Sequence, residues 1–407
     1  MAYKTLALGS LITASGSITA GGLLHSPKVA VQACCRRLGQ QLPDGVLFPG
    51  AAYDAANLRW SETAMLHPSC IVQPNNTEEV SQALTVLIAG YGGNKSACPF
   101  AIKSGGHTPT LGGNDINVGI TLDLRRINET TLAADNHSVT LGVGSTWLDV
   151  YARLNNTGVA VPGGRYGLVG VGGIALGGGL SFVSPKVGWV TDSIIDFEVV
   201  LASAEIVNAN RTSNSDLFLA LEGGSSNFGN VTRVKILTFK SDGKWWGGSV
   251  AYPKTTNTTG QVLAALKNFT SHNHLDQSAA FNVNFIYNST TGEKEIANTL
   301  VYSRAEANPP IFNQAQSIHP QLGNSAGFTT IIDLAANAGS LPYGYRYGGA
   351  VVNFRNTPEA LAAAQRTEGH IYQKLLIQPH VSSSGFVCSS TLQHALLRTA
   401  RSIGVTE

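Results

Sequence analysis

His107 is the residue with the most usable chemistry in this chain. It ends the segment Ala101–Thr108, AIKSGGHT, in which β-branched Ile102 leads into Ser104, Gly105, Gly106 and the histidine. Two adjacent glycines reach backbone angles closed to other residues and let a bulky group come close. Successive free N–H groups in such a turn form a concave nest suited to a phosphate or pyrophosphate. His107 would then stand at the rim of a nucleotide site, the one side chain there with nucleophilic chemistry. The other nine histidines show no metal spacing, and neither do the cysteines.

A second stretch, GGRYGLVGVGGIALGGG from Gly163 to Gly179, carries no reactive group but exposes a long run of backbone. Gly170, Gly172, Gly173 and Ala175 formally fit the dinucleotide fingerprint G-x-G-x-x-A, with Asp192 following 22 residues after Gly170. That fingerprint needs a helix beginning within the glycines. Gly177, Gly178 and Gly179 would fall inside it, at about 1 kcal/mol each relative to alanine. An extended, glycine-lined backbone lying against a flat ligand is therefore the expectation.

The elements that must position these stretches are legible in the flanking sequence. Ile71-Val72 reads as a short strand, Thr77–Ala89 as a helix with Thr77 as its cap, and Phe100–Lys103 as the strand that feeds the histidine turn. Together they make a β-α-β unit, the usual carrier of nucleotide sites. Further strands are expected at 120–124, 138–143, 194–201, 205–208 and 231–239, with short helices at 147–154 and 217–221. Cys34–Trp60 reads as loop-rich. Beyond Lys240 the texture changes. A helix is expected over 260–269, and Phe281, Val283, Phe285 and Tyr287 alternate with Asn282, Asn284 and Ile286, as in an antiparallel sheet with one buried face. Thr357-Pro358-Glu359 starts a helix running to about Leu376, and His380–Glu407 suggests a modest helix.

Length and composition fit two domains or one large one. The 407 residues are 13% charged and 43% apolar, with a net charge of +2, so no basic stripe points to nucleic acid. Lys4, the apolar run Leu6–Ile12 and the small residues up to Ala20 read as a secretory signal, and no stretch is long enough for a membrane span. Ten N-x-S/T sequons agree with that route. Of the five cysteines, Cys70 is expected to pair with Cys98, the partner of Cys34 or Cys35 is open, and the odd count leaves a free or intermolecular thiol.

Taken together, WSETAMLHPSCIVQPNNTEEV at 60–80, AIKSGGHTP at 101–109, GGRYGLVGVGGIALGGGLSF at 163–182, GWVTDSIIDFEVVLA at 188–202 and DLFLALEGGSSNFGNVTRVKI at 216–236 carry a family likeness. The chain resembles the vanillyl-alcohol-oxidase/PCMH superfamily of FAD-linked oxidoreductases, and within it the secreted fungal relatives of berberine bridge enzyme. The resemblance implies an α+β fold: a PCMH-type FAD-binding domain of two α/β subdomains over 64–240, then a substrate domain with an antiparallel sheet and helices over 241–377. Residues 1–20 would be the signal peptide, and 378–407 an atypical end that lacks the family's closing tyrosine-rich segment.

The resemblance further implies FAD held by Lys103, Ser104, Gly105, Gly106, His107 and Thr108, by Gly170, Gly172, Gly173, Gly177 and Gly178, and by Asn227 and Val231. His107 matches the histidine that the family joins covalently to the flavin. Tyr166 stands where bicovalent members carry a cysteine, so a single bond is implied. The implied reaction is hydride removal from a small organic substrate, in secondary metabolism or from a carbohydrate, with molecular oxygen reoxidising the flavin. The catalytic base is unassigned; Tyr287 and Tyr302 are candidates. A secreted flavin-binding protein without turnover is the competing expectation.

Overall fold

The computed structural model describes residues 27–90, 98–289, 291–337, 343–347, 355–376 and 387–393. The expected signal peptide lies outside the described residues, as do Asn94 and most of the last thirty residues.

Two sheets build the first unit. One has the order Val46–Leu47, Cys70–Val72, Ile120–Asp123, Phe100–Lys103, its last three strands parallel. The other is antiparallel, in the order Thr130–Leu132, Ser138–Gly142, Asn230–Leu237, Ile194–Val200, Ile206–Asn210. Between them runs the helix Thr77–Ala89, burying Val80, Ala83, Leu84, Val86 and Leu87. Its cap is Asn76, whose side chain accepts from the Glu79 N–H at 2.8 Å, and not Thr77. Thr77 is wholly buried, and its hydroxyl joins Thr232, Glu198 and Arg233 on the second sheet. The helix stops at Gly90, where φ is +64°.

The expected loop Cys34–Trp60 contains two helices, Pro27–Gln41 and Ala51–Ala56. The first explains a correction to the cysteine pairing. Cys34 and Cys35 are consecutive on a helix, so their side chains point about 100° apart and meet different partners. Cys34 pairs with Cys98 and Cys35 with Cys70, which leaves Cys388; the expected Cys70–Cys98 bond does not form. Both bonds tie this helix to the parallel sheet beneath the histidine turn.

The second unit is a sheet in the order Gly323–Asn324, Trp245–Pro253, Lys294–Tyr302, Ala279–Asn288, Val387–Gln393, with Gly327–Thr329 also paired to Trp245–Pro253. Burial alternates perfectly along Ala279–Asn288. Phe281, Val283 and Phe285 face the helix Thr256–His272, where Phe269 meets Phe281 edge-on at 5.4 Å. Within 378–407 the described element is the strand Val387–Gln393, where a helix was expected. The units share a core: Trp245, Val301 and Leu334 pack with residues of the first, and the Gly167 N–H donates to the Ala335 carbonyl at 2.9 Å.

Peptide mapping without reduction is expected to find the Cys34-Cys35 peptide joined to both the Cys70 and the Cys98 peptides, with no direct Cys70–Cys98 link. Cys70→Ser is expected to lower stability by about 2–4 kcal/mol in denaturant unfolding.

Candidate functional site

The two glycine-rich stretches cross each other backbone on backbone. A Cβ placed on Gly105 would lie 2.5 Å from the Gly170 nitrogen, and one on Gly170 would lie 2.5 Å from the Gly105 nitrogen. Only glycine fits at either position. Ser104 braces the crossing: its hydroxyl donates to the Val143 carbonyl at 2.6 Å, and a Cβ on Gly172 would sit 2.9 Å from its oxygen. The Ser104 side chain is therefore committed to holding the loop.

Val171–Leu176 is a short helix with Gly170 at its N-cap, which corrects the expectation of extended backbone. The three glycines counted against a helix lie beyond its end: Gly177 is the C-cap, and Gly178 and Gly179 have φ of +90° and +73°. Their freedom terminates the helix instead of weakening it. Asp192 does not serve the fingerprint role; its carboxylate accepts from the Trp189 N–H at 2.8 Å and closes its own turn. The helix touches the turn Ser225–Asn227, so Gly105, Gly106, Gly170, Gly172, Gly173 and Asn227 gather in one region. The Asn227 side chain is exposed and donates to the Gly224 carbonyl at 2.8 Å. Val231 is 3% exposed and belongs to the core, so it presents only backbone to a ligand.

Among the described residues, the N–H groups of Gly105, Gly106, His107 and Thr108 meet no acceptor. A Cβ on Gly173 would meet nothing within 4 Å. The turn is therefore a run of unpaired donors, with Gly106 buried and free space beside Gly173, which fits a pyrophosphate.

The Lys103 side chain points into the interior and not into the nest. Its ammonium is buried, donating to the Ala56 carbonyl at 2.9 Å and pairing with Asp123 at 3.2 Å. Burial pulls it down to about 8, against the opposing pull of Asp123. Arg59 pairs with Asp115 at 3.2 Å, and Arg125 with Asp123 at 2.7 Å. All three cations also reach the Ala56 carbonyl, at the negative end of the Ala51–Ala56 helix. Three cations against two carboxylates leave one positive charge in excess. It lies directly under the nest, since a Cβ on Gly106 would touch the aliphatic stems of Lys103 and Arg59.

His107 is half-buried at the edge of the nest, and burial holds its imidazole below the usual range, so the ring is neutral at pH 7. One face stacks on Trp60 with centroids 4.2 Å apart and planes 12° apart; Trp60 in turn stacks on Tyr347 at 4.0 Å and 6°. Neither partner stood out in the sequence, although Trp60 opens a quoted motif and Tyr343, Tyr345 and Tyr347 alternate in YGYRY. Tyr287 and Tyr302 lie on the buried, helix-covered side of their strands, and burial with a bond to Asp276 pushes Tyr302 up to about 12. Their position disfavours a role as base. Tyr166 is exposed on the Gly163–Gly170 loop.

Gly105→Ala and Gly170→Ala are expected to destabilise the fold by a few kcal/mol and to abolish flavin retention, through overpacking of backbone on backbone. Gly173→Ala should keep the unfolding midpoint or modestly raise it, for a gain of up to about 1 kcal/mol, whereas Gly173→Leu should fold and lose bound flavin. Flavin absorbance per protein, beside thermal unfolding, checks the series.

A family model for an FAD binding domain matches residues 68–210. The chain is 36% identical over 334 residues to the FAD-dependent monooxygenase sdcF of Emericella nidulans, covering 81% of this chain and 68% of that protein. It is 35% identical over 292 residues to the FAD-dependent monooxygenase drtC of Aspergillus calidoustus, covering 71% of this chain and 55% of the relative. The chain thus spans between about half and two thirds of the length of these curated relatives. Among solved structures, 6-hydroxy-D-nicotine oxidase from Arthrobacter nicotinovorans superposes with a TM-score of 0.64 at 22% identity, over 74% of this chain and 66% of that one, and so shares the fold. With the crossed glycine loops and the donor nest, these matches show that the chain belongs to the FAD-linked oxidoreductases, in the family of the fungal FAD-dependent monooxygenases.

Proposed function

We propose that this protein oxidises a small organic molecule of the secondary-metabolite kind, with FAD joined covalently to His107 and molecular oxygen as the terminal oxidant. The observation that carries the reading is the position of His107: a neutral imidazole at the rim of an N–H nest, with one face covered by Trp60. When bound, FAD supplies a two-electron acceptor for substrate hydride.

The chain's own residues hold and tune. The donors from Gly105 to Thr108 would take the pyrophosphate, and the excess positive charge of Arg59, Lys103 and Arg125 would favour that anion at a distance. Attachment through His107 alone follows from Tyr166 standing where a second, cysteine link would be. The half-buried face of Asn282, Asn284 and Ile286 turns away from the helix-covered core, and Ala280 at its end packs on the first unit, which makes it a wall for substrate. The two disulfides fit an oxidising compartment and support a secretory route.

One observation favours a second reading. The curated relatives are named monooxygenases, in which one oxygen atom would enter the product. Turnover of a substrate panel under labelled oxygen separates the two. The oxidase reading expects one peroxide per substrate consumed and no label in the product. Labelled product would establish the monooxygenase, and bound flavin that no donor reduces would favour a binding protein.

A further inference from the structure

We propose that Trp60 and Tyr347 clamp His107 for attachment of the flavin, so that the covalent bond forms efficiently when the segment 343–347 is bound along residues 61–63; this rests on the covalent reading of His107 above. The three rings come from three separate places in the chain and form one continuous stack. Tyr347 belongs to the segment 343–347, which follows the helix Ile331–Asn337; that helix packs mainly on the helix Trp147–Leu154 of the first unit and also touches the strand Trp245–Pro253. That segment is bound to the first unit along its backbone. The Glu62 N–H donates to the Tyr345 carbonyl at 2.9 Å, and the Tyr347 N–H donates to Ser61 Oγ at 3.0 Å. Thr63 Oγ1 lies 2.7 Å from the Pro109 carbonyl and 3.3 Å from the Tyr347 carbonyl, linking the histidine loop to the docked segment. The clamp therefore forms when the segment 343–347 is bound along residues 61–63.

The geometry suits the chemistry. Imidazole nitrogen lone pairs lie in the ring plane, so a stack on the face fixes the ring and leaves the reacting edge open. Holding a nucleophile in one orientation removes rotational freedom that would otherwise oppose the bond. Joining an imidazole nitrogen to the flavin ring methyl removes one hydrogen from each partner. The two electrons and the accompanying protons reduce the flavin, and molecular oxygen then takes them as hydrogen peroxide. Only the neutral imidazole can begin this step. Burial keeps it neutral, and the stack supplies part of that burial. The titratable and charged groups on the elements packed around His107 are Lys103, Arg59, Glu62, Tyr345, Arg346 and Tyr347; burial, opposed by a bond to its own carbonyl, sets the shift.

The test uses full-length protein produced under riboflavin limitation and then incubated with FAD. Acid-stable flavin per protein is followed in time from about pH 5.5 to about pH 8, across the ordinary histidine range. Trp60→Phe and Tyr347→Phe keep a ring in the stack and should attach flavin at close to the wild-type rate. Trp60→Leu and Tyr347→Ala should attach it about 10- to 100-fold more slowly, a loss typical of a misplaced reacting group. Their acid limb should move to higher pH as the imidazole gains water, while total bound FAD stays at the wild-type level. Wild-type rates and an unchanged pH profile in both variants would overturn the clamp. If Trp60→Leu fails to fold, Tyr347→Ala decides alone, because Tyr347 is only half-buried. No acid-stable flavin in the wild type, as in His107→Ala, would instead overturn the covalent reading itself.

Discussion

The crossing of Gly105 over Gly170 is the constraint on which the site depends. Two backbones lie closer than any side chain permits, so each glycine is required by the other. The contact fixes the turn after the parallel strand Phe100–Lys103 against the loop that opens the helix Val171–Leu176. Ser104 completes the joint by reaching the Val143 carbonyl, just beyond the strand Ser138–Gly142 of the second sheet. Two sheets with different strand directions are thereby brought to a common edge, and the open donors of the nest follow from that edge.

Beneath the crossing, buried charge does what side chains at the surface could not. Arg59 and Asp115 have wholly buried side chains, and Lys103 and Asp123 nearly so. Ion pairs so deep contribute little net stability, because desolvation offsets their attraction. Their effect is on the field: an excess positive charge under the nest, gathered at a helix-end carbonyl, with Arg59 and Lys103 buried and Arg125 partly in water. Above the crossing, the stack of His107, Trp60 and Tyr347 fastens the segment 343–347 to the histidine loop with aromatic surface. One side of the loop is therefore polar and anion-seeking, and the other apolar and rigid.

Much of this was legible in the sequence. The helix Thr77–Ala89, the strand Phe100–Lys103 and the alternating strand over Phe281–Tyr287 stand where periodicity put them, because each buries one simple face. The helix Val171–Leu176 was missed because glycine propensity counts against a helix, whereas the positive φ of Gly178 and Gly179 makes them stop signals. The disulfides were misread because spacing says nothing of a helix that turns Cys34 and Cys35 to different partners. Lys103 looked like an anion ligand beside the nest, yet strand alternation carries it inward to Asp123. Trp60 and Tyr347 escaped because their meaning lies in a contact across 287 residues of chain, which no local pattern encodes.

The most direct measurement is the mass of the tryptic peptide Ser104–Arg125 from the purified protein. The account predicts that this peptide carries FAD on His107, and that no other peptide does. An unmodified Ser104–Arg125 peptide, with flavin absent or attached elsewhere, would contradict it.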